Sequence, residues 1–325
     1  MKIIDVHHHI IPSVYKDGLN EIGITHSGGK EITDWKVQDS LDFMKEIGID
    51  KAYCSISEPA LYPVVNINLN KAISISRKTN CFFSNMKKEY PNKFGAFALL
   101  PLPDIESSIV EAIYALDVLK LDGIGMLSNY GTQFLGNDLY EPLFKVLDER
   151  HAIIYVHPSV PQKEEKRPQY VSIDYIEEFT FQTTRAATNL ILSGTLERYK
   201  NITFIFSHMG GTMPYIKWRL DHTFQKPGIF SLSVDNHIKD HWKQLKLKPS
   251  EYMKRYYFDC ALSTDKVVYD AVKDISPNHI LFGSDSFYAS ENQAKLFRKE
   301  LESFLTPEEL MNVYKNNAKN LFEYR

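Results

Sequence analysis

The sequence predicts an α/β protein built as one distorted (β/α)8 TIM-type barrel, and three observations carry that expectation. Short apolar runs alternate with amphipathic stretches along the whole chain, as strands and helices alternate in parallel-sheet proteins. There are eight such runs, a number that favours a closed barrel over an open doubly wound sheet. They are rich in Ile, Val, Phe and Tyr and poor in charge, as strands covered on both faces are.

The strands are expected at Lys2–His8, Lys51–Ser57, Phe94–Leu100, Gly123–Leu127, Ala152–His157, Ile202–Ser207, Tyr256–Cys260 and His279–Gly283. Helices are expected between them. In Val37–Ile47 the residues Val37, Leu41, Met44 and Ile47 share one helical face, with Phe43 off that stripe. Ile67–Tyr90 is long and amphipathic, and Asp104 caps Ile105–Leu119. Tyr140–Glu149, Phe179–Tyr199, Lys266–Val272 and Asn292–Phe304 follow, and Thr306-Pro307 opens a last helix over Glu308–Phe322. No linker or low-complexity tract interrupts the chain, so residues 1–325 read as a single domain. Two segments read as insertions, Ile10–Trp35 after strand one and His222–Glu251 before strand seven. They are either surface excursions or, since long loops in compact domains lean toward function, a lid or a subunit contact.

Composition excludes several classes. Formal net charge is −3 and the charged residues, 24% of the chain, are interspersed, which leaves no nucleic-acid footprint. The most basic stretch, His237–Lys248, contains Asp240 and reads as a solvated helix or loop. The three cysteines, Cys54, Cys81 and Cys260, share no CxxC spacing. That pattern suits free thiols in a reducing compartment, with Cys54 and Cys260 in the core. No run approaches the roughly 18 apolar residues of a membrane helix, and the N-terminus lacks the marks of a signal peptide. A cytoplasmic protein without membrane attachment is expected.

The chemistry sits at strand ends. The first run finishes Asp5-Val6-His7-His8-His9. Strand alternation puts His7 and His9 on one face, Asp5 one step deeper on that face, and His8 on the other. Two imidazoles so placed chelate a metal or simply end a strand in polar residues. The other strand ends decide between these: AIIYVHPS delivers His157, TFIFSHMGG delivers His208 and ILFGSDSFY delivers Asp285. In a barrel all C-terminal strand tips converge on one mouth, where active sites are built. His7, His9, His157 and Asp285 suffice to hold one divalent ion and leave a position for water, whose pKa falls to about 7 on such an ion. His208 is then a further ligand or the proton-transfer group, since imidazole titrates near about 6.5. Gly210-Gly211 permits either close backbone approach to a ligand or a tight turn into a helix. Phe287 and Tyr288 either wall the pocket or merely pack.

With these residues placed, the sequence resembles the amidohydrolase superfamily, and most closely its decarboxylase branch, which includes aminocarboxymuconate-semialdehyde and 6-methylsalicylate decarboxylases. The resemblance runs nearly end to end through IDVHHHIIP, SLDFMKEIGIDKAYCSIS, GIGMLSNYG, YEPLFKVLDERHAIIYVHPS, FTFQTTRAATNLILSG, FIFSHMGGTMPY, ILFGSDSFY and NNAKNLF. It implies one catalytic divalent ion, zinc first and manganese second, held by His7, His9, His157 and Asp285, with His208 as catalytic acid/base. It implies non-oxidative removal of CO2 from an aromatic, heteroaromatic or unsaturated carboxylic acid. It implies a homodimer in which Arg219, eleven residues after His208, reaches the neighbouring subunit's substrate carboxylate; an ordinary surface ion pair is the other reading of Arg219. Arg185, in QTTRAA, reads as a helix-surface or structural residue. Two-metal hydrolases of this architecture place a carboxylated lysine at the end of strand four. Here Gly125-Met126-Leu127-Ser128 stands there and Lys120 is at the wrong end, so a single metal is expected. The stretch Asp39–Lys45 lacks the arginine that aminocarboxymuconate-semialdehyde decarboxylase carries, which points toward the 6-methylsalicylate side. Two rivals share the site: a hydrolase opening a lactone or amide with the same metal-bound water, and a non-enzymatic ligand-binding barrel. The intact strand-end set speaks against the second.

Overall fold

The computed structural model describes residues 2–27, 30–161, 168–225 and 233–323. Eight strands, β1 Ile4–His9, β2 Lys51–Ser55, β3 Phe94–Ala98, β4 Gly123–Leu127, β5 Ile153–His157, β6 Thr203–Phe206, β7 Tyr257–Asp259 and β8 Ile280–Leu281, lie in chain order in one sheet. Neighbours pair in parallel all the way round. The sheet returns to its start only through isolated bridges, Asp5 to Phe282 and His8 to Ser286. The (β/α)8 expectation therefore holds, and the distortion lies where β7, β8 and β1 meet.

Strand alternation divides the core into two parts. One side of the strands packs against the surrounding helices. The other side fills the barrel with Ile4, Val6, Tyr53, Phe97, Ile153, Tyr155, Ile205 and Leu281. Phe97 stacks on Tyr155 with ring centroids 5.1 Å apart, and Phe322 from the final helix, Asn317–Glu323, stacks on Tyr53 at 3.7 Å. The barrel is thus plugged from below, as barrels of this kind are. Phe97, withdrawn from water, contributes about 1.5–3 kcal/mol. The plug also gives the mouth a rigid floor.

Most helices fall where the patterns put them, and the differences have local causes. Val37–Ile47 stops at Gly48, whose φ of 80° makes a left-handed cap. Phe43, off the apolar stripe, packs against the His8 ring at 5.8 Å. The expected helix Ile67–Tyr90 begins at Leu69 because Asn68 caps it, accepting from the Lys71 N–H at 3.0 Å. Phe179–Tyr199 breaks at Gly194 into Glu178–Leu192 and Thr195–Arg198.

The insertions hold structure that apolar periodicity did not reveal. The first carries helix Ser13–Asn20 and a small hairpin, His26–Ser27 with Lys30–Glu31. Helix Met213–Gln225 leads into the second, which carries Asn236–Trp242 and Pro249–Met253. Their segments at 28–29 and 226–232 lie outside the described residues. Asn236–Trp242 buries none of its residues, in keeping with a solvated helix. Cys54 and Cys260 are buried and free. No described helix is long and apolar enough to cross a membrane.

Candidate metal centre at the barrel mouth

β1 ends at the mouth with two imidazoles facing one another. His7 Nε2 lies 2.9 Å from His9 Nε2. Asp285, just after β8, brings Oδ1 to 3.2 Å from His7 Nε2 and 3.5 Å from His9 Nε2. His157 closes β5, and its Nδ1 donates to the Pro158 carbonyl at 2.8 Å. That bond fixes the tautomer and leaves Nε2 with a free lone pair. The His157 ring stands 4.8 Å from that of His9 and 5.8 Å from that of His208. One donor atom from each of His7, His157, His208 and Asp285 lies within 4.8 Å of the others. All five side chains are buried.

His208 and Asp285 leave their strands with φ of 53° and 55°, and Met209 follows at 54°. Non-glycine residues in this region cost on the order of 1–3 kcal/mol each and cluster at functional sites. Gly210 and Gly211 continue the turn at φ 74° and 65°. A Cβ on Gly211 would stand 2.1 Å from the Thr180 carbonyl oxygen. The glycine pair thus serves a tight turn, and its close backbone approach is to helix Glu178–Leu192.

Burial sets the charges. It holds His9 and His157 well below imidazole's ordinary value and His208 below it, and neighbouring imidazoles add to the effect. These rings are neutral near pH 7 and offer lone pairs. His7 behaves oppositely: burial opposes its charge, but Asp259 and Asp285 outweigh burial and push it up to about 10. Asp285 lies below the ordinary carboxylate value, because the His7 charge outweighs the burial that would raise it.

Asp259, at the end of β7, was not singled out from the sequence. It is wholly buried, and both its oxygens approach His7 Nδ1, at 3.1 and 3.2 Å. It also accepts from Tyr155 O–H at 3.0 Å and from the backbone N–H groups of His208 at 3.2 Å and Ala261 at 3.0 Å. The carboxylate therefore claims the Nδ1 proton and turns Nε2 of His7 toward the mouth. Its signal in the sequence was an acid inside an otherwise apolar run, YYFDCA.

Asp5 corrects an expectation. It does not join the face of His7 and His9. The ladder to β2 slips between Asp5 and His8, so one extra residue in β1 shifts the alternation. Asp5 instead meets His8 Nδ1 at 3.1 Å and accepts from the Ser284 N–H at 3.0 Å and hydroxyl at 2.6 Å. His8 Nε2 reaches Ser40 Oγ at 2.9 Å. This buried chain ties β1 to β8 and to helix Val37–Ile47.

The mouth opens into a cleft of about 580 Å³, counting the part open to solvent. Lys30, Ser57, Tyr175, Phe179, Leu262 and Tyr288 help line it, with His157, His208 and Asp285 at its floor. Tyr288 walls the cleft, while Phe287 packs on the core. Arg219 stands exposed on helix Met213–Gln225 and is not part of this lining. Arg185 is exposed on its helix and donates to Gln182 Oε1 at 2.7 Å. Lys30, missed in the sequence, is the cationic side chain among the described lining residues, and its Nζ donates to the Tyr288 carbonyl.

A divalent ion suits this donor set. Ligands at about 2.0–2.2 Å from an ion stand about 2.9–3.5 Å from each other, the spacing of His7, His9 and Asp285. His208 Nε2 is buried with no hydrogen-bond partner among the described residues, an arrangement rare in proteins unless another species meets the atom.

The sequence matches the amidohydrolase family over residues 4–323. The chain belongs to the amidohydrolase family. This amidohydrolase is 30% identical over 321 residues to the decarboxylase yanB of Aspergillus niger, covering 94% of the chain and 82% of the relative. It is 30% identical over 333 residues to the 6-methylsalicylic acid decarboxylase acuB of Aspergillus aculeatus, covering 98% and 95%. Its fold matches that of 5-carboxyvanillate decarboxylase from Novosphingobium aromaticivorans, solved with manganese and 4-hydroxy-3-methoxy-5-nitrobenzoic acid, at a TM-score of 0.84 and 18% identity, covering 99% and 96%.

Proposed function

We propose that this amidohydrolase is a metal-dependent carboxy-lyase that removes CO2 from an aromatic or related unsaturated acid. The observation that carries the proposal is the mouth itself: three neutral imidazoles, a fourth oriented by Asp259, and one carboxylate, all buried beneath an aromatic-walled cleft. His7, His9, His157 and Asp285 would hold one divalent ion, zinc or manganese. When bound, that ion supplies positive charge that anchors an anionic substrate and stabilises electron density displaced into its ring.

The chain's own residues do the rest. Tyr288 and Phe179 line the cleft and offer apolar ring surface to a flat substrate. Lys30 attracts the substrate's anionic groups. Losing CO2 leaves a carbon that must gain a proton; His208 lines the cleft, and its Nε2 has no hydrogen-bond partner among the described residues. Burial keeps His208 neutral in the free protein; an anionic substrate beside it favours the protonated form and readies it as the donor. The test is CO2 release from 6-methylsalicylate and dihydroxybenzoates by metal-loaded protein, with loss on chelation. Turnover of lactones with no CO2 from any acid would replace this reading with the hydrolase.

The homodimer belongs to the same reading, with Arg219 serving the partner's cleft. Its support is helix Met213–Gln225, where Tyr215 and Trp218 are 90% and 69% exposed beside Arg219. Mixing Arg219→Ala with His208→Asn protein tests it. A mixed dimer regains one complete site, so activity should reappear. If the mixture stays as inactive as its parts, Arg219 does not act across subunits.

A further inference from the structure

A second group of ligating side chains lies apart from the mouth, and none of its members lines the cleft. His237 and His241 are one helical turn apart on Asn236–Trp242, and Asp138 opens the short helix Asp138–Tyr140 that follows β4. His237 Nε2 is 2.7 Å from Asp138 Oδ2. His241 Nε2 is 3.4 Å from Asp138 Oδ1 and 3.3 Å from His237 Nε2.

The hydrogen bond on the far side of His241 decides which of its nitrogens is left for a cation. His241 Nδ1 donates to the Ser193 carbonyl at 2.7 Å, a backbone oxygen that can only accept. In the neutral ring its Nε2 then carries a lone pair. That lone pair faces a carboxylate oxygen and a second imidazole nitrogen. If His237 Nε2–H donates to Asp138, the His241 lone pair and Asp138 Oδ1 still oppose one another at 3.4 Å, a gap that either a proton on His241 or a metal ion fills. A carbonyl holding the far nitrogen is also the usual support of a metal-binding histidine. Nitrogen ligands about 2.0–2.1 Å from a tetrahedral ion stand about 3.3 Å apart, as the two Nε2 atoms do. The His241 side chain is partly covered, at 18% exposed.

We propose that Asp138, His237 and His241 form a second, accessory site for a zinc-class ion, with water completing the sphere. Two imidazoles and a carboxylate select borderline ions such as Zn²⁺ over Mg²⁺ or Ca²⁺. The site has a structural task. Asn236–Trp242 has seven residues and buries none of them, well short of the roughly 12–15 at which an isolated helix becomes even marginal in water. A metal clip across Asp138 fastens this part of the insertion to the segment after β4. The site is separate from the chemistry at the mouth.

Untagged full-length protein dialysed against micromolar Zn²⁺ tests the proposal, with metal counted per chain. Wild type should hold one more zinc than His241→Ala or Asp138→Asn, and the extra zinc should slow amide exchange across residues 236–242 in wild type alone. Both variants should keep decarboxylase turnover. His157→Ala should lose the mouth ion yet keep the accessory one, so failure at one site is distinguishable from failure at the other. Equal zinc counts in wild type and His241→Ala, or no zinc-dependent protection of 236–242, would overturn the proposal.

Discussion

Replacing His208 with asparagine is expected to cut kcat by about 10²–10⁴, the usual yield of a positioned acid or base, while metal content stays at the wild-type level. Asparagine is the apt replacement because His208 sits at φ 53°, a region that asparagine tolerates better than most residues. The substitution therefore removes the titratable ring and spares the turn. His157→Ala is the control: it should lose both metal and activity, because its Nε2 is one of the proposed ligands. Metal analysis beside single-turnover CO2 release reads both outcomes. Loss of metal from His208→Asn would make His208 a ligand and leave the proton donor to be found elsewhere.

Asp259→Asn is expected to weaken metal binding about 10–100-fold, the cost typical of removing the partner of a metal-binding histidine. The isosteric amide keeps the volume but lets His7 choose its tautomer and rotate. The same substitution has a signature in pH. In metal-free protein His7 is held at about 10 by Asp259 and Asp285 against its burial, above the ordinary value of about 6.5. A raised folded-state pKa gives stability that is fully present below about pH 6.5 and is lost as pH rises through about 10. Metal-free wild type should thus lose urea resistance between pH 6.5 and 10, and Asp259→Asn should lose less over the same window. Metal binding must displace that proton, so metal affinity should climb across the window in wild type. A variant with unchanged metal affinity and unchanged pH slope would show that Asp259 only fills space.

The correspondence between sequence and structure is uneven for physical reasons. The eight strands were legible because a strand buried on both faces must be continuously apolar. Where such a run meets the mouth, an ionisable residue is conspicuous: His157 after AIIYV and Asp285 after ILFGS stand out at once. Asp259 did not stand out, because a lone acid in an apolar strand gives no sign of which residue it faces. Its partner, His7, lies 252 residues away. Lys30 was hidden in an insertion whose polarity carries no periodic signal. Asp5 was misplaced because strict alternation ignores a slip in register.

The sequence by itself determined the architecture and brought His7, His9, His157, His208 and Asp285 to the mouth, since both follow from patterns local to each strand and from the rule that barrel strand tips converge. Only the tertiary structure decided how His7 and His9 are set against Asp285, that Asp259 orients His7 while Asp5 serves His8, and that His208 keeps a nitrogen with no hydrogen-bond partner among the described residues. These depend on the register across β7, β8 and β1 and on the left-handed turns after β6 and β8. Such features arise when distant segments share one closed barrel, and no stretch of sequence contains them.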